Sequence, residues 1–258
     1  MTADFPESDR PTSLLIAREV AASAAFLLLH PFGWRPEKKR TPRQAAQRTV
    51  VLVHGYGGNR SAFVPLAAYL RARGVRQILG FDYRSSEGIE RGARELRDFL
   101  KSSVRGGRID LVCHSLGGLV ARVYLQQLGG WRRVDRCITL GTPHRGTYNA
   151  YWLASRIGHE LRPDSPLLER LAASRANADG VRFTSIIAGS DNIVIPRVFA
   201  GGDDPVYVPD LGHLGMLFSP AVFRAVADRL LCPKGRPDQL LRGGVDFAAA
   251  SPPVKKVG

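Results

Sequence analysis

Cysteine is scarce in this sequence of 258 residues, which contains only Cys113, Cys137 and Cys232. An odd, sparse set of cysteines is not a disulfide framework. No CxxC or mixed Cys/His spacing indicates a zinc site. We therefore expect neither a metal nor another cofactor.

Acidic residues are also in short supply, with 23 Asp and Glu against 37 Lys and Arg and a formal net charge of +14. Residues 35–48 hold six basic residues against one Glu. Such charge attracts nucleic acid or anionic lipid headgroups. No nucleic-acid motif accompanies it, and aromatic residues do not interleave the basic runs, so no nucleic-acid partner is expected. Peripheral contact with an anionic membrane and a merely solvated basic exterior are the two interpretations that remain.

The N-terminal segment is not expected to be a cleavable signal peptide. Residues 14–29 are almost wholly apolar, interrupted by Arg18 and Glu19, and are fewer than the ~20 that a membrane span needs. The preceding segment is acidic, and more apolar residues follow the small-residue box at 22–24, which is the wrong order for a signal peptide. The run predicts a helix packed on the domain or dipping into a membrane, and a signal sequence is the remaining alternative. We accordingly expect a cytoplasmic or peripherally membrane-associated protein.

Short apolar runs alternate with helical patterns along most of the chain. The predicted strands are Thr49–His54, Gln77–Phe81, Ile109–Cys113, Arg136–Leu140, Arg182–Ala188 and Pro205–Val208. The predicted helices are Ser61–Arg73, with Ser61 as its N-cap, Glu87–Ser103, Leu116–Leu128 and Pro220–Leu231. This alternation predicts an α/β fold with a mainly parallel central sheet and helices on both faces.

The same pattern predicts how the chain is divided. Residues 1–48 form an apolar helix and a basic linker, 49–235 form one α/β domain, and 236–258 form a tail. Between the fourth and fifth strands, about forty residues stand where a short loop would suffice. Insertions of that length are often functional, so we expect a small helical cap over about residues 146–180.

The sharpest local signal lies at the end of the third predicted strand, where the sequence reads Leu-Val-Cys-His-Ser-Leu-Gly-Gly over residues 111–118. A serine between a strand and a glycine-rich helix start is typical of a nucleophile held at the carboxyl edge of a sheet. Ser115 is therefore the candidate nucleophile. A plain helix N-cap is the alternative role for this serine.

A glycine-rich loop, His54–Asn59, follows the first strand. It lacks the Lys-Ser/Thr sequel of a phosphate-binding P-loop. We instead expect its backbone to face the carboxyl edge of the sheet. There the Tyr56 and Leu116 N–H groups would meet at one oxyanion.

Together with Leu140–Gly146, which resembles the GTPH-x-G turn of many lipases, these two motifs make the chain resemble a lipase-type α/β-hydrolase. Cys113 stands where the family's elbow has its first glycine. The resemblance implies the chain order nucleophile, acid, base. It assigns the acid to Asp191, with Asp203 and Asp204 as alternatives. It assigns the base to His213, the only histidine after residue 159.

The resemblance implies a carboxylic ester hydrolase, a lipase or esterase, that forms an acyl-enzyme through a Ser-His-Asp triad. Its substrate would be a small acyl ester or a lipid. The apolar residues of the cap would either line an acyl site or face the core. An acyltransferase with the same acyl-serine and a non-catalytic binding protein with this fold are the alternatives. The other histidines are expected to be structural, except His159 on the surface.

Overall fold

The computed structural model describes residues 11–34, 48–197 and 205–231. Six strands form one parallel sheet in the order β2-β1-β3-β4-β5-β6. They are β1 (Arg48–Val53), β2 (Ile78–Phe81), β3 (Arg108–His114), β4 (Val134–Leu140), β5 (Arg182–Ala188) and β6 (Val206–Val208). All six predicted strands are confirmed, with bounds that differ by at most two residues.

Seven α-helices connect or flank the described strands. They are α1 (Thr12–Leu29), α2 (Val64–Ala72), α3 (Ile89–Ser103), α4 (Leu116–Gln127), α5 (Arg156–Leu161), α6 (Pro166–Ala173) and α7 (Pro220–Leu231). The predicted Ser61–Arg73 helix begins instead as a 3-10 turn, Arg60–Phe63, before α2. The Asn59 side chain accepts the Ser61 N–H at 3.0 Å, so Asn59 and not Ser61 is the N-cap.

Apolar residues cover both faces of the sheet. One core joins β1 and β3 to α3, α4 and the helices of the insertion, and the other joins the sheet to α2 and α7. Strands buried on both faces explain the continuous apolar runs in the sequence. At the amino edge of the sheet, the buried Asp110 binds Arg48 at 2.7 Å and Arg136 at 3.3 Å. This carboxylate therefore belongs to a structural ion-pair network.

The strand order reverses between β1 and β3, because β2 lies on one side of β1 and all later strands on the other. In open parallel sheets such a switch leaves a crevice at the carboxyl ends of the strands, where ligands bind. The loop after β1 and the turn after β3 flank this crevice. Both carry motifs that the sequence singled out.

Candidate active site

Ser115 lies between β3 and α4 with φ 53° and ψ −124°. A positive φ is rare for a residue other than glycine, and where it occurs the surrounding structure must hold it. Here the Ser115 N–H donates to the Leu140 carbonyl at 2.8 Å, and Thr142 Oγ1 donates to the Ser115 carbonyl at 2.9 Å. The end of β4 and the loop after it therefore hold this turn at both its N–H and its carbonyl.

Gly117 makes the tight turn possible. A Cβ at this position would lie 2.5 Å from the carbonyl oxygens of Val53 and His54, so only glycine allows α4 to start this close to β1. Leu116 is the first residue of α4, and its N–H has no carbonyl one turn earlier to bind. Among the described residues the Leu116 N–H has no acceptor, so the turn presents this amide beside Ser115, at the positive end of a helix.

Asp191 and His213 form a buried pair at the same edge of the sheet. Asp191 follows β5, and its Oδ2 accepts from His213 Nδ1 at 2.7 Å. Burial by itself would raise the pKa of Asp191. Hydrogen bonds outweigh this effect of burial and lower the pKa of Asp191. They come from His213 and from the Ile193 and Val194 N–H groups, each 2.9 Å from Asp191 Oδ1. Asp191 is therefore a carboxylate that holds Nδ1 as a donor and leaves Nε2 as the free ring nitrogen.

The pair lies against the serine turn. His114 packs its ring 4.8 Å from the His213 ring, and its Nε2 donates to the His213 carbonyl at 3.2 Å. Burial, with the nearby His213 second, lowers the pKa of His114 to about 3, so this ring is neutral. Among the described residues the Ser115 hydroxyl has no hydrogen-bond partner. The structure thus joins Asp191 to His213 directly and brings both to the Ser115 turn without a Ser115–His213 hydrogen bond.

The loop after β1 is held by His54. Its Nδ1 donates to the Gly55 carbonyl at 2.8 Å, and its Nε2 accepts from the Tyr83 N–H at 3.3 Å. Burial lowers the pKa of His54, which fits a neutral ring with this tautomer. Gly57 N–H donates to Ser85 Oγ at 2.9 Å. These contacts fix the loop that carries Tyr56. Gly55 of this loop lies against Ser115, since a Cβ on Gly55 would come 2.9 Å from Ser115 Cβ.

The insertion after β4 divides into two parts. Ile157, Leu167, Leu168 and Leu171 of α5 and α6 are buried in the core, as the helical spacing predicts. The preceding 3-10 turn, Tyr148–Trp152, leaves aromatic side chains exposed, with Trp152 91% exposed. This turn is tied to the segment after Asp191, since Tyr148 N–H donates to the Ile195 carbonyl at 2.8 Å and Thr147 Oγ1 to the Ile193 carbonyl at 2.9 Å.

Comparisons with known proteins place this arrangement among known folds. A family model described as DUF7379, a domain of unknown function, matches residues 28–154. The chain is 28% identical over 210 residues to the uncharacterized protein YfhR of Salmonella typhi, covering 72% of this chain and 70% of that protein. It is 30% identical over 139 residues to the lysosomal thioesterase PPT2 of Bos taurus, covering 49% of this chain and 45% of that protein.

Among solved structures, the mature form of the Bacillus licheniformis lipase BlEst2 superposes with a TM-score of 0.59 at 16% identity. The match covers 74% of this chain and 96% of that one. The chain has the α/β-hydrolase fold. In an α/β-hydrolase fold the functional residues lie at the carboxyl edge of the sheet, which is where Ser115, Asp191 and His213 are found.

One residue that contacts the His213 loop, Glu19, could not be identified from the sequence. Glu19 of α1 accepts the Leu214 N–H at 2.6 Å and the Gly215 N–H at 3.0 Å. The only signal was the Arg18-Glu19 interruption of an apolar run, and the partners of Glu19 are about 195 residues away. Asp203, Asp204 and the predicted tail over 236–258 lie outside the described residues. The predicted domain bounds remain predictions.

Proposed function

We propose that this protein is a serine hydrolase that cleaves carboxylic esters through an acyl-enzyme on Ser115. The observation that carries the proposal is a serine held at φ 53° next to a buried Asp191–His213 pair. A serine that only caps a helix has no need of this strained backbone. A nucleophile does need it, because the strain lifts the hydroxyl clear of the strand.

In the proposed mechanism, Ser115 Oγ attacks the ester carbonyl carbon while His213 Nε2 accepts the hydroxyl proton. Asp191 keeps Nδ1 as the donor and stabilises the imidazolium. The Tyr56 and Leu116 N–H groups receive the oxyanion. The C–O bond then breaks, His213 returns its proton to the leaving alkoxide, and water repeats the cycle to release the acid. Catalytic hydrogen bonds are often formed only once substrate binds, which accounts for the unpaired Ser115 hydroxyl.

The proposed substrate is a small acyl ester or an acyl lipid. Exposed apolar side chains stand on the two segments tied together beside Asp191, and they are Tyr148, Tyr151, Trp152, Ile193 and Ile195. Monomeric proteins rarely leave such a group without a role. Apolar surface next to a nucleophile suits an acyl chain.

A thioester is the second candidate, because the similarity to a lysosomal thioesterase covers 139 residues. The triad chemistry is the same for both, and only the leaving group changes from an alkoxide to a thiolate. An acyltransferase would pass the same acyl group to an added alcohol. A non-catalytic binding protein would leave Ser115 unreactive.

The test compares wild type, Ser115→Ala and the matched control Ser102→Ala, whose hydroxyl is exposed on α3. A p-nitrophenyl ester series from acetate to palmitate and an acyl-CoA series report the leaving group and chain length. Product ratios with added alcohol report acyl transfer. We expect hydrolysis and fluorophosphonate labelling by wild type and Ser102→Ala, and loss of both in Ser115→Ala. A wild-type protein that neither labels nor hydrolyses any of these substrates refutes the proposal and favours a binding protein.

A further inference from the structure

Helix α1 is apolar on the side that faces away from the domain. Leu28 is 74% exposed and Leu27 68% exposed, and Ala22 is the only buried residue of this helix. The other large exposed residues of this outer face are Leu14, Ile16, Val20 and, just beyond the helix, Phe32. A helix on the surface of a soluble domain normally turns its apolar stripe inward. Here the inward side already carries apolar residues, the buried Ala22 and the half-buried Phe26, beside Glu19 and Ser23, so the additional apolar outer face needs another explanation.

Length and composition alone would allow Thr12–Gly33 to cross a membrane, and it is the one such helix among the described residues. The contacts of its inner side argue against a span in this arrangement. Glu19 binds two amides of the His213 loop, and Asn59 Nδ2 donates to the His30 carbonyl at 2.8 Å. Phe26 packs on the core beside α2 and α7. A helix held along one side by the domain can offer a bilayer only its other side.

Charge indicates what covers the outer face. Arg18 is exposed on α1, and the five basic residues Arg35, Lys38, Lys39, Arg40 and Arg43 follow it within the next segment of the sequence. Two copies of a chain that carries +14 repel each other, whereas an anionic bilayer attracts this charge. Apolar side chains on an exposed helix face, with a basic residue on the same helix and more of them directly after it in the sequence, suit binding at an anionic membrane interface.

We propose that the outer face of α1 docks on an anionic lipid bilayer, with the helix lying in the plane of the interface. Because α1 and the turn after it contact the Asn59 loop and the His213 loop, docking brings the candidate site to the lipid surface. The consequence for activity, delivery of acyl lipids to Ser115, rests on the proposed function. The proposal that α1 docks on a bilayer does not rest on the proposed function, because docking requires no catalysis.

The test is co-flotation of the full chain with vesicles of phosphatidylcholine alone or with one-third phosphatidylglycerol. The variants are L27S/L28S on the outer face and the matched control L231S, an equally apolar exposed residue at the end of α7. Each is made in the wild-type and Ser115→Ala backgrounds. We expect binding to anionic vesicles that weakens with salt and falls about tenfold or more in L27S/L28S, but not in L231S or Ser115→Ala. Hydrolysis of p-nitrophenyl acetate in solution should be unchanged in L27S/L28S.

Three results would overturn the docking proposal. One is a wild-type chain that does not float with anionic vesicles. Another is L27S/L28S binding as tightly as wild type. The last is a wild-type dimer that L27S/L28S converts to a monomer without any vesicle binding, because a second copy would then cover the face. If the wild-type chain floats with anionic vesicles but neither labels nor hydrolyses any ester, the proposed function fails while the docking proposal stands.

Discussion

The contact between α1 and the His213 loop allows a sharp test of how the candidate site is held. In Glu19→Gln one carboxylate oxygen, an acceptor, is replaced by an NH₂ group, a donor. That donor then faces a backbone N–H, which is also a donor, so one hydrogen bond is lost. Glu19 is half-buried and accepts from Leu214 and Gly215, so the variant keeps at most one of two hydrogen bonds. The loop concerned is the one that carries His213.

The magnitude follows from these two bonds. Hydrogen bonds to a charged group contribute about 1.5–3 kcal/mol each, and a buried donor left unpaired costs about 1–3 kcal/mol. We expect Glu19→Gln to weaken the packing of α1 on the domain by about 2–4 kcal/mol. The loop that loses this contact carries His213, the proposed base. Displacing a base by about half an ångström already slows catalysis, so kcat should fall at least about tenfold while KM changes little.

The assay combines kcat and KM on p-nitrophenyl acetate with amide hydrogen exchange across α1 and residues 211–218. The matched control is Glu95→Gln, which removes an exposed ion pair with Arg91 and should leave both kcat and exchange nearly unchanged, because exposed ion pairs contribute little to stability. Faster exchange in both segments together with a lower kcat is the expected result. If Glu19→Gln keeps wild-type kcat and wild-type exchange, the positioning role of Glu19 is refuted.

The remaining predictions concern the acid, the turn and pH. Asp191→Asn should lower kcat on the order of 10⁴-fold, because His213 loses the partner that fixes its tautomer, and unchanged kcat would remove Asp191 from the mechanism. Gly117→Ala places a Cβ 2.5 Å from two carbonyl oxygens and should cost about 1–3 kcal/mol in urea unfolding. Gly180→Ala, where a Cβ meets open space, should be near neutral, and equal costs would contradict the steric argument. His114 has a folded pKa of about 3 against an ordinary 6.5, so an unfolded chain binds its proton first as pH falls. Stability should therefore be full above about pH 6.5 and decline toward pH 3, and His114→Asn should flatten this decline in thermal melts.

The sequence by itself determined the sheet and the main motifs. Strands buried on both faces must be continuous apolar runs, and parallel strands need crossovers, so strand and helix order could be predicted. The Ser115 turn was also readable, because a tight strand-to-helix corner requires glycine close by. These signals are local, and each depends on residues within about ten positions of one another.

Only the tertiary structure decided how α1 is used. Its composition was equally compatible with packing on the domain and with a membrane, since apolarity does not specify which face is covered. Which side of α1 packs on the domain rests on Glu19, which accepts from backbone amides about 195 residues later in the sequence. The tertiary structure likewise decided which apolar residues of the insertion are buried. Leu171 is buried and Trp152 is exposed, although both belong to similar sequence patterns. Contacts between distant segments depend on how the layers pack, and no local period in the sequence encodes them.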